Sequence, residues 1–98
     1  MANYATNLFF ATTENQRDLK RIATFLEENF NDCNFDTYKD AIDGEFYSKW
    51  TYPEKIIDEM IASLEDKTEV YIRILTHELS SEYVSFRIFS KGKWDIKL

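Results

Sequence analysis

A chain of 98 residues with 44% hydrophobic and 16% aromatic side chains can bury one core but not two, and such a content excludes a disordered chain. Eighteen acids against 12 bases leave a net charge of -6, which repels phosphate backbones and argues against general nucleic-acid or anionic-membrane binding. The one cysteine, Cys33, cannot close an internal disulfide, and there is no basic-then-apolar leader. No apolar run approaches the roughly 20 residues that span a bilayer, so a soluble cytoplasmic protein is expected. Without repeats, low-complexity tracts or linkers, residues 1–98 are expected to form a single domain.

In chain order, residues 4–11 (YATNLFFA) alternate and are rich in aromatics, predicting a strand with Leu8 and Phe10 on one face and Phe9 on the other. Thr13 and Gln16 then fit a capping box, in which hydroxyl and amide each satisfy a free backbone group. Leu19, Ile22, Ala23, Leu26 and Phe30 recur at helical spacing, opposite a wet side that includes Arg17, Asp18, Lys20 and Arg21. Residues 34–39 (NFDTYK) predict a second strand. Asp43-Gly44 tolerates positive φ cheaply, so a hairpin turn is expected there.

EFYSKW alternates again, with Phe46, Ser48 and Trp50 on one face and Glu45, Tyr47 and Lys49 on the other. Thr51 with Glu54 forms a second candidate capping box, with Pro53 in the first turn, where no intrahelical donor is needed. Ile56, Ile57, Met60, Ile61 and Leu64 follow as the buried stripe of a second helix. Val70, Ile72 and Ile74 alternate against Tyr71, Arg73 and Leu75, while Val84, Phe86 and Ile88 alternate against Tyr83, Ser85, Arg87 and Phe89. Residues 77–82, with His77, read as the turn between these strands, and Lys91-Gly92 turns into a brief last strand bearing Trp94 and Ile96. The sum is an α+β fold: a ferredoxin-like βαββαβ sandwich, its antiparallel sheet carrying two helices on one face, with a short C-terminal β extension.

The opening MANYATN and the segment FYSKWTYP resemble the YubB-type ferredoxin-like domain of small plasmid and phage proteins. Members open with Asn-Trp-Cys-x-Asn and carry Phe-x-Thr-x-Trp-x-x-Pro where a strand meets the second helix. This chain keeps Asn3, Asn7, Phe46, Trp50 and Pro53, with Tyr4 and Ala5 in place of Trp-Cys and Ser48 in place of Thr. The resemblance implies the fold and a mobile-element setting, and it supplies no catalytic residues.

Charge is segregated. Residues 27–45 hold Glu27, Glu28, Asp32, Asp36, Asp40, Asp43 and Glu45 against only Lys39, so this segment carries the net charge of the whole chain. Such a run is either a solvated loop or a surface for a basic partner. Asp32, Asn34, Asp36, Asp40 and Asp43 also echo a calcium loop, but Thr37 stands where that loop needs Gly and Asp43 where it needs a bidentate Glu. The sheet face away from the helices is expected to present Phe9, Tyr47, Lys49, Tyr71, Arg73, Tyr83, Arg87 and Phe89, a set on which RNA or single-stranded DNA bases could stack, although the basic-Gly-aromatic signature is missing. Coverage by the C-terminal hairpin, a protein partner or a homodimer are the other fates of that face.

Enzyme chemistry finds no constellation: His77 is the only histidine, Cys33 has no cationic neighbour, and there is no phosphate loop or metal-ligand spacing. No cofactor is expected. The reading is a non-enzymatic acidic interaction module that occupies a basic protein surface through the 27–45 acids. Charge segregation and small size make a host nucleic-acid-targeting defence complex, as bound by anti-CRISPR or anti-restriction proteins, the most concrete partner, and the phage or mobile-element association comes only through the resemblance. The alternatives are an RNA- or single-strand-binding sheet face and a ligand-free domain that dimerises.

Overall fold

The computed structural model describes residues 3–30 and 32–98. It is an α+β structure in the order β1 (Tyr4–Thr12), α1 (Gln16–Asn29), β2 (Asn34–Thr37), β3 (Ala41–Lys49), α2 (Glu54–Ala62), β4 (Tyr71–Glu78), β5 (Tyr83–Ser90) and β6 (Lys93–Ile96), with a 3-10 turn at Lys67–Glu69 before β4. The six strands form one antiparallel sheet in the order β2-β3-β1-β4-β5-β6. β3 is inserted between β1 and β2, which α1 connects, and β1 between β3 and β4, which α2 connects. No helix among the described residues is long and apolar enough to cross a membrane.

Alternation decides which side of each strand meets the helices. Phe9 and Ala11 of β1, Ile42 and Phe46 of β3, and Ile72 and Ile74 of β4 join Leu19, Ile22 and Leu26 of α1 and Ile57, Met60 and Ile61 of α2 in one core. Both helices therefore lie on one face. Phe46 centres an aromatic cluster, 4.2 Å from Phe30 and 5.9 Å from Phe9 between ring centroids.

Several local expectations are corrected. α1 is capped by Asn15, whose side chain accepts from the Asp18 N–H at 3.0 Å, rather than by Thr13, whose hydroxyl instead accepts from the Asn15 N–H at 3.2 Å. Asp18 is buried, not on a wet side: its carboxylate accepts from the N–H groups of Glu65 and Asp66, both at 2.8 Å, and so ties the start of α1 to the connection that follows α2. Thr51 does not cap α2. The N-cap is Pro53, without a side-chain bond, and the Thr51 hydroxyl reaches only Tyr52 O, at a long 3.5 Å.

The β2–β3 turn lies at residues 38–41, where the Tyr38 N–H donates to Ala41 O at 2.8 Å, and not at Gly44. Gly44 sits inside β3 opposite Phe35 and Phe9, without a positive φ. It is glycine for lack of room: a Cβ there would lie 2.2 Å from Asn34 O and 2.6 Å from Phe35 Cδ1. Trp50 does not extend the inward row of β3; it has left the strand at φ 69° and is 44% exposed.

β5 is turned over relative to the expectation. Phe89 is 2% exposed and Ser85 is buried, whereas Val84 is 48% exposed. The cause is the register with β4, which pairs Glu78 with Tyr83 and Ile72 with Phe89, so Tyr83, Ser85, Arg87 and Phe89 share the helix side with Ile72 and Ile74. The Glu78 carboxylate fixes that register by accepting from the N–H and hydroxyl groups of Ser80 and Ser81 in the connecting turn. Those bonds hold its pKa down, from 4.5 to about 2. Phe9, at 2% exposure, is likewise a core residue and not part of the open face. His77 lies in β4 rather than in a turn. β6 extends the sheet beside β5 and does not cover its open face.

Candidate functional site

The side of the sheet away from the helices is a surface no element of the described chain covers, and strand register assigns its residues. One row across it reads Asp36, Asp43, Phe10, Arg73, Ile88 and Asp95. The next reads Asn34, Glu45, Leu8, Leu75 and Phe86, ending near Lys97, whose N–H donates to Phe86 O at 2.8 Å. A third reads Tyr47, Thr6, His77 and Val84. The face thus runs from acids on β2 and β3, with Tyr47 and Lys49 further along β3, across apolar side chains of β1 and β5 and a mixed β4 that carries Arg73 and His77, to lysines with one aspartate around β6.

Of the seven predicted partner-binding acids, the structure brings three onto this face side by side, Asp36, Asp43 and Glu45, around a shallow hollow of about 290 Å³ with Leu8 as its apolar wall. Asp36 stands directly opposite Asp43, a like-charge pair that opposes the pairing of its own strands. Among the described residues the only ion pairs are Arg17–Glu65 and Lys97–Asp95, so none of the seven acids is neutralised by a lysine or arginine. The other four lie apart. Glu27 and Glu28 sit on exposed positions of α1, Asp32 lies in the connection to β2, and Asp40 at the hairpin tip accepts from the Gln16 side chain at 3.0 Å.

The predicted stacking set divides. Tyr47, Lys49, Tyr71 and Arg73 are on the open face, with the Arg73 guanidinium 4.5 Å from the Phe10 ring centroid and 5.6 Å from that of Tyr71. Tyr83, Arg87 and Phe89 face the helices, where Arg87 stacks on Tyr52 at 4.1 Å and the Tyr83 hydroxyl accepts from the Tyr52 N–H at 3.2 Å. They hold the strand-to-helix connection in place. Burial pushes the Tyr52 phenol pKa well up, and the Arg87 charge offsets only part of that.

A second concavity, a cleft of about 620 Å³, opens where β2 stops pairing at Glu45 and leaves residues 46–49 of β3 without a strand on that side among the described residues. Phe30, Asp32, Tyr47, Ser48, Lys49 and Pro53 are among its lining. Ser48 is the hydroxyl in it with the most buried surroundings, and it is committed: it accepts from the Asn7 side chain at 2.9 Å and donates to Thr51 O at 2.6 Å. Among the described residues its hydrogen-bond partners are an amide and a backbone carbonyl, neither of which is the general base that activates a serine.

The residue pattern names Asn7 only as a position shared with the resembled family and assigns it no structural role. In the fold it is fully buried on the helix side and accepts from the Thr76 hydroxyl at 2.7 Å while donating to Ser48 and to Phe46 O, so it ties β1 to both neighbouring strands. The signal for this is its parity with Phe9 and Ala11. Comparison of the chain with protein-family models, curated proteins and solved structures finds no match.

Proposed function

We propose that this chain is a non-enzymatic protein-interaction module, with a ferredoxin-like arrangement of its first four strands and two helices, that docks a basic protein surface through the acidic edge of its open sheet face. One observation carries the reading: Asp36, Asp43 and Glu45 stand together, without an ion-pair partner among the described residues, on two strands whose pairing their repulsion weakens. Uncompensated like charge that costs stability is explained by a ligand of opposite charge. The apolar wall beside it would add contact area that charge alone does not supply. The split connections, with one strand inserted within each βαβ unit, support the ferredoxin-like reading.

The resemblance to the YubB-type domain supplies only a mobile-element setting; small size and segregated acids make the basic nucleic-acid groove of a host defence complex the partner proposed. Acids on the same face as Tyr47, Tyr71 and Arg73 would repel a phosphate backbone, which favours the protein partner over RNA or single-stranded DNA. The test is capture of purified CRISPR effector and restriction complexes by the immobilised chain, with histone as a basic control. Selective capture lost in the D36K/D43K/E45K variant is the expected result. Capture that survives the reversal, or that histone matches, overturns the proposal.

A further inference from the structure

β3 outruns the strand beside it. β2 pairs with residues 42–45 and stops, whereas β3 continues along β1 to Lys49. In an antiparallel pair, alternate residues turn their N–H and C=O toward the same neighbour. The Trp50 N–H donates to Asn3 O at 3.1 Å, so Ser48 and Phe46 also turn toward β1, and Tyr47 and Lys49 turn outward. The hairpin bond from the Tyr38 N–H to Ala41 O gives the same parity from the other end: Asp43 and Glu45 bond outward to β2, and the next residue in that row is Tyr47. Lys49 O is taken by the Thr51 N–H at 2.8 Å. The N–H and C=O of Tyr47 and the N–H of Lys49 have no backbone partner among the described residues.

These groups border the cleft of about 620 Å³ described above. Its apolar lining is Phe30, Pro53 and Ile56, while Asn29 and Asp32 bring the C-terminus of α1 and the chain beyond it to the same place. That terminus is negative. The helix carbonyls end there, the last turn holds Glu27 and Glu28 but no base, and Asp32 has no ion-pair partner among the described residues. Lys49, the base in the lining, shares the parity of Tyr47 and so stands on the open face of the sheet rather than on the helix side.

We propose that an extended basic segment of another protein adds to the sheet at this edge, antiparallel to β3 and in line with β2, with a lysine or arginine turned into the cleft. The segment residue opposite Tyr47 exchanges two hydrogen bonds with it, and the one opposite Lys49 accepts a third. The residue between them lies opposite Ser48 and points to the helix side. Its aliphatic stem covers Phe30, Pro53 and Ile56, and its cationic head meets Asp32 and the α1 carbonyls. Asp36, Asp43 and Glu45 take no part, so this site does not rest on the function proposed above.

The probe is the peptide acetyl-Thr-Val-Thr-Val-Lys-Val-amide, titrated into the isotope-labelled chain and followed by amide shifts and hydrogen exchange. Saturable binding with a Kd below about 1 mM is expected, with the Tyr47 and Lys49 amides protected at least about 10-fold and those of β6, the other edge, unchanged. Glutamate in place of the peptide lysine, or Asp32→Lys in the chain, should each weaken binding about 10-fold. N-methylation of the last valine removes the donor to Tyr47 O and should abolish binding, whereas N-methylation of the lysine, whose N–H points to solvent, should change it by less than about 3-fold. Tyr47→Pro deletes an N–H that β1 does not use and should weaken binding about 10-fold, with circular dichroism verifying the fold. No shift at about 1 mM peptide, no protection of Tyr47 and Lys49, or indifference to which nitrogen is methylated overturns the proposal. Protection of those amides that rises with chain concentration in the absence of peptide gives the edge to a second copy and also overturns it. Failure of the capture assay above leaves this titration untouched, so the two proposals fall separately.

Discussion

Replacing Gly44 by alanine is the sharpest test of how β2 is held. The added Cβ would lie 2.2 Å from Asn34 O and 2.8 Å from Phe35 Cα, both backbone atoms of the neighbouring strand, and ordinary contact begins at 3.4 Å. β2 must therefore retreat by about 1 Å or unpair, and a main chain cannot turn aside as a flexible side chain does. Retreat separates Phe35 from Phe9 and Phe46, whose centroids are 6.3 and 6.4 Å away. Overpacking of this kind costs about 1–3 kcal/mol, and partial weakening of the two aromatic contacts together adds about 0.5–1.5 kcal/mol. A total of about 2–3 kcal/mol is expected, because the four-residue edge strand can relax outward. At roughly 4–8 °C per kcal/mol for a domain of this size, the midpoint should fall by about 10–20 °C.

Thermal and urea unfolding measure the loss, and hydrogen exchange at Phe35 to Thr37 locates it. G44A melting within about 2 °C of the wild type, or unchanged protection of those amides, would refute the close-approach reasoning. Gly92 is the contrast. It sits at φ +78°, and a Cβ added there would find its nearest foreign atom, Thr68 Cγ2, at 3.4 Å, so replacement by alanine meets backbone strain alone, about 1 kcal/mol. Because β2 carries Asp36, G44A should also weaken whatever binds the acidic edge.

Three other substitutions probe named contacts. Asp36→Asn removes one charge from a pair facing each other across β2 and β3, and should raise stability by about 0.2–1 kcal/mol in urea unfolding; a loss of stability would mean that Asp36 serves the fold. Asn7→Ala leaves the buried Thr76 hydroxyl without the acceptor it donates to, while Ser48 keeps its bond to Thr51 O, and should cost about 1–3 kcal/mol; a variant as stable as the wild type would mean that the network contributes little. Glu78 has a folded-state pKa depressed from 4.5 to about 2, so its contribution is complete above pH 4.5 and fades as pH falls toward 2. Glu78→Gln should flatten the acid limb of a stability–pH curve across that window and leave its shape above about pH 5 alone; an unchanged acid limb would sink the assignment.

Where one face of a segment is clearly apolar and the other clearly polar, pattern and structure agree. α1 buries Leu19, Ile22 and Leu26, α2 buries Ile57, Met60 and Ile61, and β4 buries Ile72 and Ile74, all as their spacing predicts. β1 and β5 carry aromatic or aliphatic residues on both faces, so alternation shows that they are strands without showing which side is in. That ambiguity misplaces Phe9, Tyr83, Arg87 and Phe89. The three acids that share a face are legible as part of a charged run, but not as neighbours: Asp36 and Asp43 meet because the chain turns at residues 38–41, upstream of the glycine that marks a turn by composition.

The amino-acid sequence alone determined the number and kind of elements, the buried stripes of both helices and the placing of net charge in residues 27–45, because each depends on local periodicity or simple addition. Only the tertiary structure decided the faces of β1 and β5, the real caps, the reason for Gly44 and the grouping of Asp36, Asp43 and Glu45 beside an uncovered apolar strip. These are matters of register and close approach between segments far apart in the chain, and a pairing shifted by one residue exchanges every side chain between core and solvent without altering the local pattern at all.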